Sequence, residues 1–129
     1  MTGFLNHVQD FSITHAYVAP PVVLYLSKLP QSQQSSLSSL RMLTSGGAPL
    51  GEELIKAVYQ QLNIPVRQAF GLTESTAISH IQRWAKWNTS IGSNGPPLPG
   101  LGIKFVDEND QVVFEREGEM CMRGPTIFK

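Results

Sequence analysis

Apolar residues at Phe4, Leu5, Val8 and Phe11 stand among polar neighbours. Their spacing of three and four predicts a helix over Thr2 to Phe11, with Thr2 as its cap. Ser12 to Val18 continues into a run that predicts a buried strand. After Pro20-Pro21, the stretch Val22 to Leu29 predicts a short helix begun at the prolines, whose preset φ suits a first helical turn, and Pro30 ends it. Gln31 to Ser39 is rich in Gln and Ser and predicts a solvated connector. Leu40 to Ser45 predicts a second strand, closed by Gly46-Gly47. Gly51 to Leu62 is the strongest helical pattern: Leu54, Ile55, Val58, Tyr59 and Leu62 share a face, and Glu52 and Glu53 sit where the helix dipole favours negative charge. Pro65 to Phe70 predicts a third strand, closed by Gly71.

The order strand, helix, strand, helix, strand implies an α/β fold: a partial parallel sheet with flanking helices, βαβαβ over residues about 12–76. From Ala77 the pattern changes to short apolar runs separated by Gly92, Gly95, Pro96-Pro97, Pro99-Gly100 and Asn109-Asp110. Gly102 to Val106, Gln111 to Phe114 and Glu119 to Met122 are the expected strands of a small β-rich lobe. Residues 1–80 thus form the α/β part and residues 81–129 the β-rich part of one unit, and a chain of 129 residues can bury a core of its own.

Composition narrows the function classes. Ten basic and ten acidic residues cancel, with no Lys/Arg cluster, so no nucleic-acid partner is expected. Cys121 is the single cysteine, which excludes an intrachain disulfide and favours a reducing, cytoplasmic setting. The N-terminus has neither the basic nor the apolar region of a signal peptide, and no apolar run is long enough for a transmembrane span.

In an open α/β sheet, ligands bind beyond the carboxyl ends of the strands. Behind the second strand comes Thr44-Ser45-Gly46-Gly47-Ala48-Pro49-Leu50-Gly51, where two glycines let the backbone lie against a planar group and the next helix turns its free N–H groups the same way. Behind the third comes Gln68-Ala69-Phe70-Gly71-Leu72-Thr73-Glu74-Ser75-Thr76, which gathers a stacking aromatic, a phosphate-binding hydroxyl and a carboxylate able to hold Mg2+. Each also fits a plainer role, the first as a strand-to-helix turn and the second as a helix cap with a first-turn acid. Both together at one sheet edge weigh toward a site.

Ser45-Gly46-Gly47-Ala48-Pro49-Leu50-Gly51 and Gln68-Ala69-Phe70-Gly71-Leu72-Thr73-Glu74 resemble two core motifs of the adenylate-forming (AMP-binding) superfamily, closest to its acyl-CoA synthetase, 4-coumarate–CoA ligase and luciferase branch. Val18 to Leu24, Leu37 to Arg41, Ile91 to Gly95 with Leu98-Pro99-Gly100, and Gly118 to Pro125 follow in that branch's order, so the resemblance covers essentially the whole chain. It implies an ATP-dependent carboxylic acid:CoA ligase that forms an acyl-AMP and then a thioester, with ATP, Mg2+ and CoA as its small molecules. By the resemblance Phe70, usually tyrosine, would pack on adenine. Gly46, Gly47, Ala48 and Pro49 would line the base's other face, with Gln68, Ala69 and Gly71 nearby. Thr73 would bind the α-phosphate and Glu74 the Mg2+, while Gly47, Ala48, Gly71, Ser75 and Thr76 would border the acyl pocket.

The resemblance further implies an internal fragment of the large N-terminal domain. The phosphate loop is expected upstream of Met1; the ribose-holding aspartate and the small domain with its catalytic lysine are expected after Lys129. The expectation is therefore little or no adenylation by the isolated chain, the alternatives being a non-catalytic AMP-binding or interaction module or a truncated gene product. A half-sheet would also expose strand edges that another chain could cover. A peroxisomal address, common in this branch, would sit at the C-terminus of a full-length parent. His7, His15 and His80 lack metal-ligand spacing and read as structural, Trp84 and Trp87 read as packing, and Cys121 reads as a buried, inert thiol.

Overall fold

The computed structural model describes residues 2–114 and 117–128. The apolar periodicities become α1 (Thr2–Asp10), α2 (Pro20–Leu26) and α3 (Glu52–Leu62). The extended runs become β1 (His15–Val18), β2 (Met42–Ser45) and β3 (Val66–Phe70), joined by the short β4 (His80–Ile81). The sheet order is β1-β2-β3-β4. The first three strands run parallel, with Ala16 beside Leu43 and Leu43 beside Val66, and β4 is antiparallel to β3. A second sheet pairs β5 (Gly102–Val106) with β6 (Glu119–Arg123) antiparallel. The fold is α/β, with no helix long and apolar enough to cross a membrane among the described residues.

Strand alternation assigns the two sheet faces different work. Leu43 and Val66 belong to the core with Leu5 and Val8 of α1, Val23 and Leu26 of α2, and Ile55 and Val58 of α3. Burying each such side chain contributes about 1.5–3 kcal/mol, which is why the helices cover this face. On the other face the row Tyr17, Thr44 and Arg67 runs across the strands. There the Arg67 guanidinium donates through Nε to Thr44 Oγ1 at 2.9 Å and through a terminal nitrogen to the Gln82 carbonyl at 3.4 Å.

Several local expectations are corrected. β1 is not a buried strand from Ser12: Ser12 has φ 49, which breaks the extended run, and β1 is a four-residue edge strand whose Tyr17 is 68% exposed. Phe11 lies beyond α1 and is exposed, so it is not part of the helix's buried face, and Thr2 lies inside that helix. Tyr59 of α3 is half-exposed, its ring 4.5 Å from that of Trp87.

Gln31–Leu37 is a 3-10 helix rather than an irregular connector, with Gln31, Ser32, Gln33 and Ser35 exposed as expected. At three residues per turn, Gln34, Leu37 and Leu40 align inward, and Leu37 and Leu40 are buried. The Ser36 hydroxyl donates to Gln9 Oε1, and that of Ser39 to the Val8 and Ile13 carbonyls, so the polar residues tie the segment down. Gln111 to Phe114 forms no strand; one bridge joins Val112 to Val106. The pairing is short: the Asp107 amide donates to the Gln111 carbonyl at 3.0 Å and the Val113 amide to the Phe105 carbonyl at 2.9 Å, around a turn in which Asp107 Oδ1 accepts from the Asn109 and Gln111 amides. Cys121 is half-buried in β6, not buried, and faces Lys104 across the ladder.

Candidate functional site

β1 and β2 end side by side at Val18 and Ser45, and β3, whose Gln68 lies beside Ser45, runs on to Phe70. From this edge the chain leaves β2 into Gly46 to Gly51 and leaves β3 into Gly71, Leu72 and the 3-10 turn Thr73–Ser75. Gly71 is dictated by crowding: a Cβ there would lie 1.5 Å from the Ala77 carbonyl oxygen. The loop folds back this tightly because the buried Ser75 hydroxyl accepts from the Leu72 amide at 2.9 Å and donates to the Leu72 carbonyl at 3.0 Å. Thr76 and Ala77 then adopt φ 53 and 73, sparsely populated for residues with a Cβ and rarest for a β-branched one.

Two clefts open on this edge. The larger, about 700 Å3, is lined by Tyr17, Val18, Thr44, Gly46, Gly47, the run Ala69 to Thr73, and Thr76 to Ile78. The smaller, about 400 Å3, is lined by Gly47 to Leu50, Gln68 to Leu72, Gly92 and Asn94. Gly47 and Ala69 to Leu72 line both and form a common wall. No charged side chain lines either cleft among the described residues.

The sequence-derived candidates divide accordingly. Gly47, Ala69, Phe70 and Gly71 line both clefts; Gly46, Thr73 and Thr76 line only the larger; Ala48, Pro49 and Gln68 line only the smaller. Ser75 lines neither, its hydroxyl being held by the loop backbone. Glu74 lines neither and is exposed, its carboxylate bound to no side chain or amide among the described residues. Its backbone carbonyl accepts from the Phe128 amide at 2.8 Å. A single open carboxylate beside a hydroxyl fits Mg2+, which is commonly held by one or two carboxylates together with substrate phosphates and water.

Residues the sequence did not single out also line the clefts. Tyr17 and Val18, the latter opening the matched run Val18 to Leu24 but given no role there, close β1, and the strand-end rule applied to β2 and β3 would have found them. Ile78 carried no signal, and Asn94 lay in the matched run Ile91 to Gly95 without an assigned role; loop folding brings both there.

Buried polar contacts support the edge from behind. The Gln82 carboxamide accepts from the Gln68 amide at 2.7 Å and donates to the Ser90 carbonyl. The Gln68 carboxamide accepts from the Gly92 amide at 3.0 Å and donates to the Leu50 carbonyl at 3.4 Å, joining the two loops around the smaller cleft. His80, its ring 5.9 Å from that of Phe70, bonds through Nδ1 with the Ser79 hydroxyl at 3.0 Å. Burial holds its imidazole below its ordinary pKa. Ser45 Oγ is buried without a partner among the described residues.

A family model described as AMP-binding enzyme matches residues 2–129. The chain belongs to this family. Among its relatives, a luciferin 4-monooxygenase of Luciola mingrelica is 33% identical over 97% of the chain and 23% of its own length. A 4-coumarate–CoA ligase of Oryza sativa subsp. japonica is 36% identical, over 100% of the chain and 24% of its own length. The chain therefore spans about a quarter of the length of these relatives. The crystal structure of an anthranilate CoA ligase in complex with anthranoyl-AMP superposes with a TM-score of 0.85 at 26% identity, over 98% of this chain and 24% of that one. The Bacillus subtilis O-succinylbenzoate coenzyme A synthetase, in complex with ATP and magnesium, shares the fold with a TM-score of 0.81 at 23% identity, over 99% and 26%.

Proposed function

We propose that the two clefts are the acyl and nucleotide halves of one adenylate-forming site, contributed by this chain to an ATP-dependent carboxylic acid:CoA ligase. The observation that carries this is the common wall. A carboxylate in the larger cleft and a nucleotide in the smaller would meet across Gly47 and Ala69 to Leu72. That is the geometry for a carboxylate oxygen to bond the α-phosphorus while the bond to the leaving pyrophosphate breaks. Holding both reactants at that distance converts an encounter in solution into a local step.

In this reading Phe70 supplies a ring for the adenine, opposite the backbone of Gly47, Ala48 and Pro49, and Gln68 fixes the loops on either side. The Thr73 hydroxyl donates to an α-phosphate oxygen at the mouth of the larger cleft. Glu74 holds Mg2+, whose charge, when bound, offsets that of the phosphates. Gly47, Gly71 and Thr76 border the carboxylate. Ser75 acts through the loop, since its hydroxyl already holds Leu72. CoA would accept the acyl group afterwards.

The absence of a cationic side chain from both clefts among the described residues favours a second statement: the 129-residue chain binds the adenylate without turning over. Preorganised charge of that kind is commonly worth several kcal/mol in such reactions. A cytoplasmic setting suits the single cysteine, a peroxisomal one a parent carrying a C-terminal address, and the unpaired edge of β1 suits cover by further chain.

Two assays test the proposal. ATP, Mg2+ and a panel of aromatic and fatty acids should yield no acyl-AMP or pyrophosphate with the isolated chain, and robust release would overturn the second statement. Calorimetric titration with AMP should show binding that Phe70→Ala and Thr73→Ala weaken; unchanged heats in both variants would overturn the first.

A further inference from the structure

We propose that Asn94 reads the edge of the base in the smaller cleft and selects for the 6-amino group of adenine; this rests on assigning that cleft to the nucleotide. Only two side chains lining the cleft carry a hydrogen-bonding amide, Gln68 and Asn94. The Gln68 carbonyl oxygen already accepts from the Gly92 amide, and its nitrogen already donates to the Leu50 carbonyl. The Asn94 carboxamide is exposed and has no partner among the described residues. It is therefore the lining group with both a donor and an acceptor to offer.

The turn that carries Asn94 is fixed on both sides. Before it, the Gly92 amide is held by Gln68 of β3 at 3.0 Å. After it, the Gly95 amide donates to Ser93 Oγ at 3.1 Å. Gly95 has φ +80 and packs so closely on β4 that a Cβ would lie 2.4 Å from the Ile81 carbonyl oxygen. A side chain presented from a clamped turn loses little freedom on meeting a ligand.

The chemistry matches adenine. Its 6-amino group donates and the neighbouring ring nitrogen accepts, so one carboxamide satisfies both, its oxygen receiving the amine and its nitrogen donating to the ring. A purine lacking the 6-amino group leaves the Asn94 oxygen unmatched. Stacking on Phe70 is indifferent to that group, so Phe70 contributes affinity for any purine alike, and the choice among purines falls to the Asn94 oxygen.

The test titrates the full 129-residue chain with two probes, AMP and purine riboside 5′-monophosphate, which is AMP without its 6-amino group. The wild type should favour AMP by about tenfold. Asn94→Ala should reduce that preference to about twofold or less, weakening AMP, which loses both bonds, more than the deaminated probe, which loses only the bond to its ring nitrogen, while leaving the thermal melt unchanged. Phe70→Ala should weaken both probes together and keep their ratio. An unchanged ratio in Asn94→Ala, or an equal weakening of both probes, would overturn the role of Asn94 while leaving the nucleotide cleft standing. Binding of neither probe to the wild type would overturn the nucleotide assignment itself.

Discussion

The Thr76 hydroxyl donates to the Thr126 carbonyl at 2.7 Å across fifty positions of sequence. With the Phe128 amide on the Glu74 carbonyl, it binds the last described segment to the Thr73 to Thr76 loop. That loop holds both the hydroxyl and the carboxylate assigned to phosphate and metal, so its order depends on residues far along the chain. Thr76→Ala should cost about 0.5–1.5 kcal/mol. Amide hydrogen exchange should speed up at Phe128; an unchanged rate there would show that the clasp is not formed by this hydroxyl.

Gly71 tolerates no side chain. Gly71→Ala would drive a Cβ into the Ala77 carbonyl, which belongs to backbone rather than to a yielding side chain. We expect a loss of about 3 kcal/mol, the upper range for overpacking, and loss of AMP binding. Gly51→Ser, where the added group meets open space at the start of α3, should stay within about 0.5 kcal/mol of wild type. Urea unfolding of both variants checks the contrast.

Ser45 Oγ is a buried hydroxyl without a partner among the described residues. A buried polar group left unpaired commonly costs about 1–3 kcal/mol. Ser45→Ala should therefore leave the midpoint of thermal unfolding unchanged or raise it. A fall of several degrees would mean that this hydroxyl has a partner in solution.

Burial lowers the pKa of His80 in the folded chain. The unfolded imidazole, near about 6.5, then takes up a proton before the folded one does. Stability from this group is complete above that value and is lost as pH falls through it towards the lower folded pKa. Urea midpoints should drop between pH 8 and pH 5.5 in the wild type and less in His80→Gln. Parallel slopes in the two proteins would show that His80 does not carry the dependence.

The parallel strands and both strand-end loops were legible because each rests on a local signal. Ile55 and Val58 repeat at helical spacing, Leu43 and Val66 sit in short apolar runs, and glycines mark where β2 and β3 end. What was not legible depends on contacts distant in sequence. Gln31–Leu37 looked like a connector because Leu37 is its single apolar residue, so no hydrophobic period marks the 3-10 turns. Ser75 looked like a ligand-facing hydroxyl, yet its closest partners are its own loop backbone. Asn94 lay in the matched run Ile91 to Gly95 without a role of its own, and the bond between Gly92 and Gln68 with the close packing of Gly95 on β4 brings it to the cleft.

The two-cleft site is tested most directly by calorimetric titration of the isolated chain with a non-hydrolysable acyl-AMP analogue, against AMP alone. Because the analogue would occupy both clefts, it should bind at least about tenfold more tightly, a difference of about 1.4 kcal/mol. Phe70→Ala, which alters the common wall, should weaken both. Equal affinity for the two ligands, or no binding of either, would contradict a site built from these clefts.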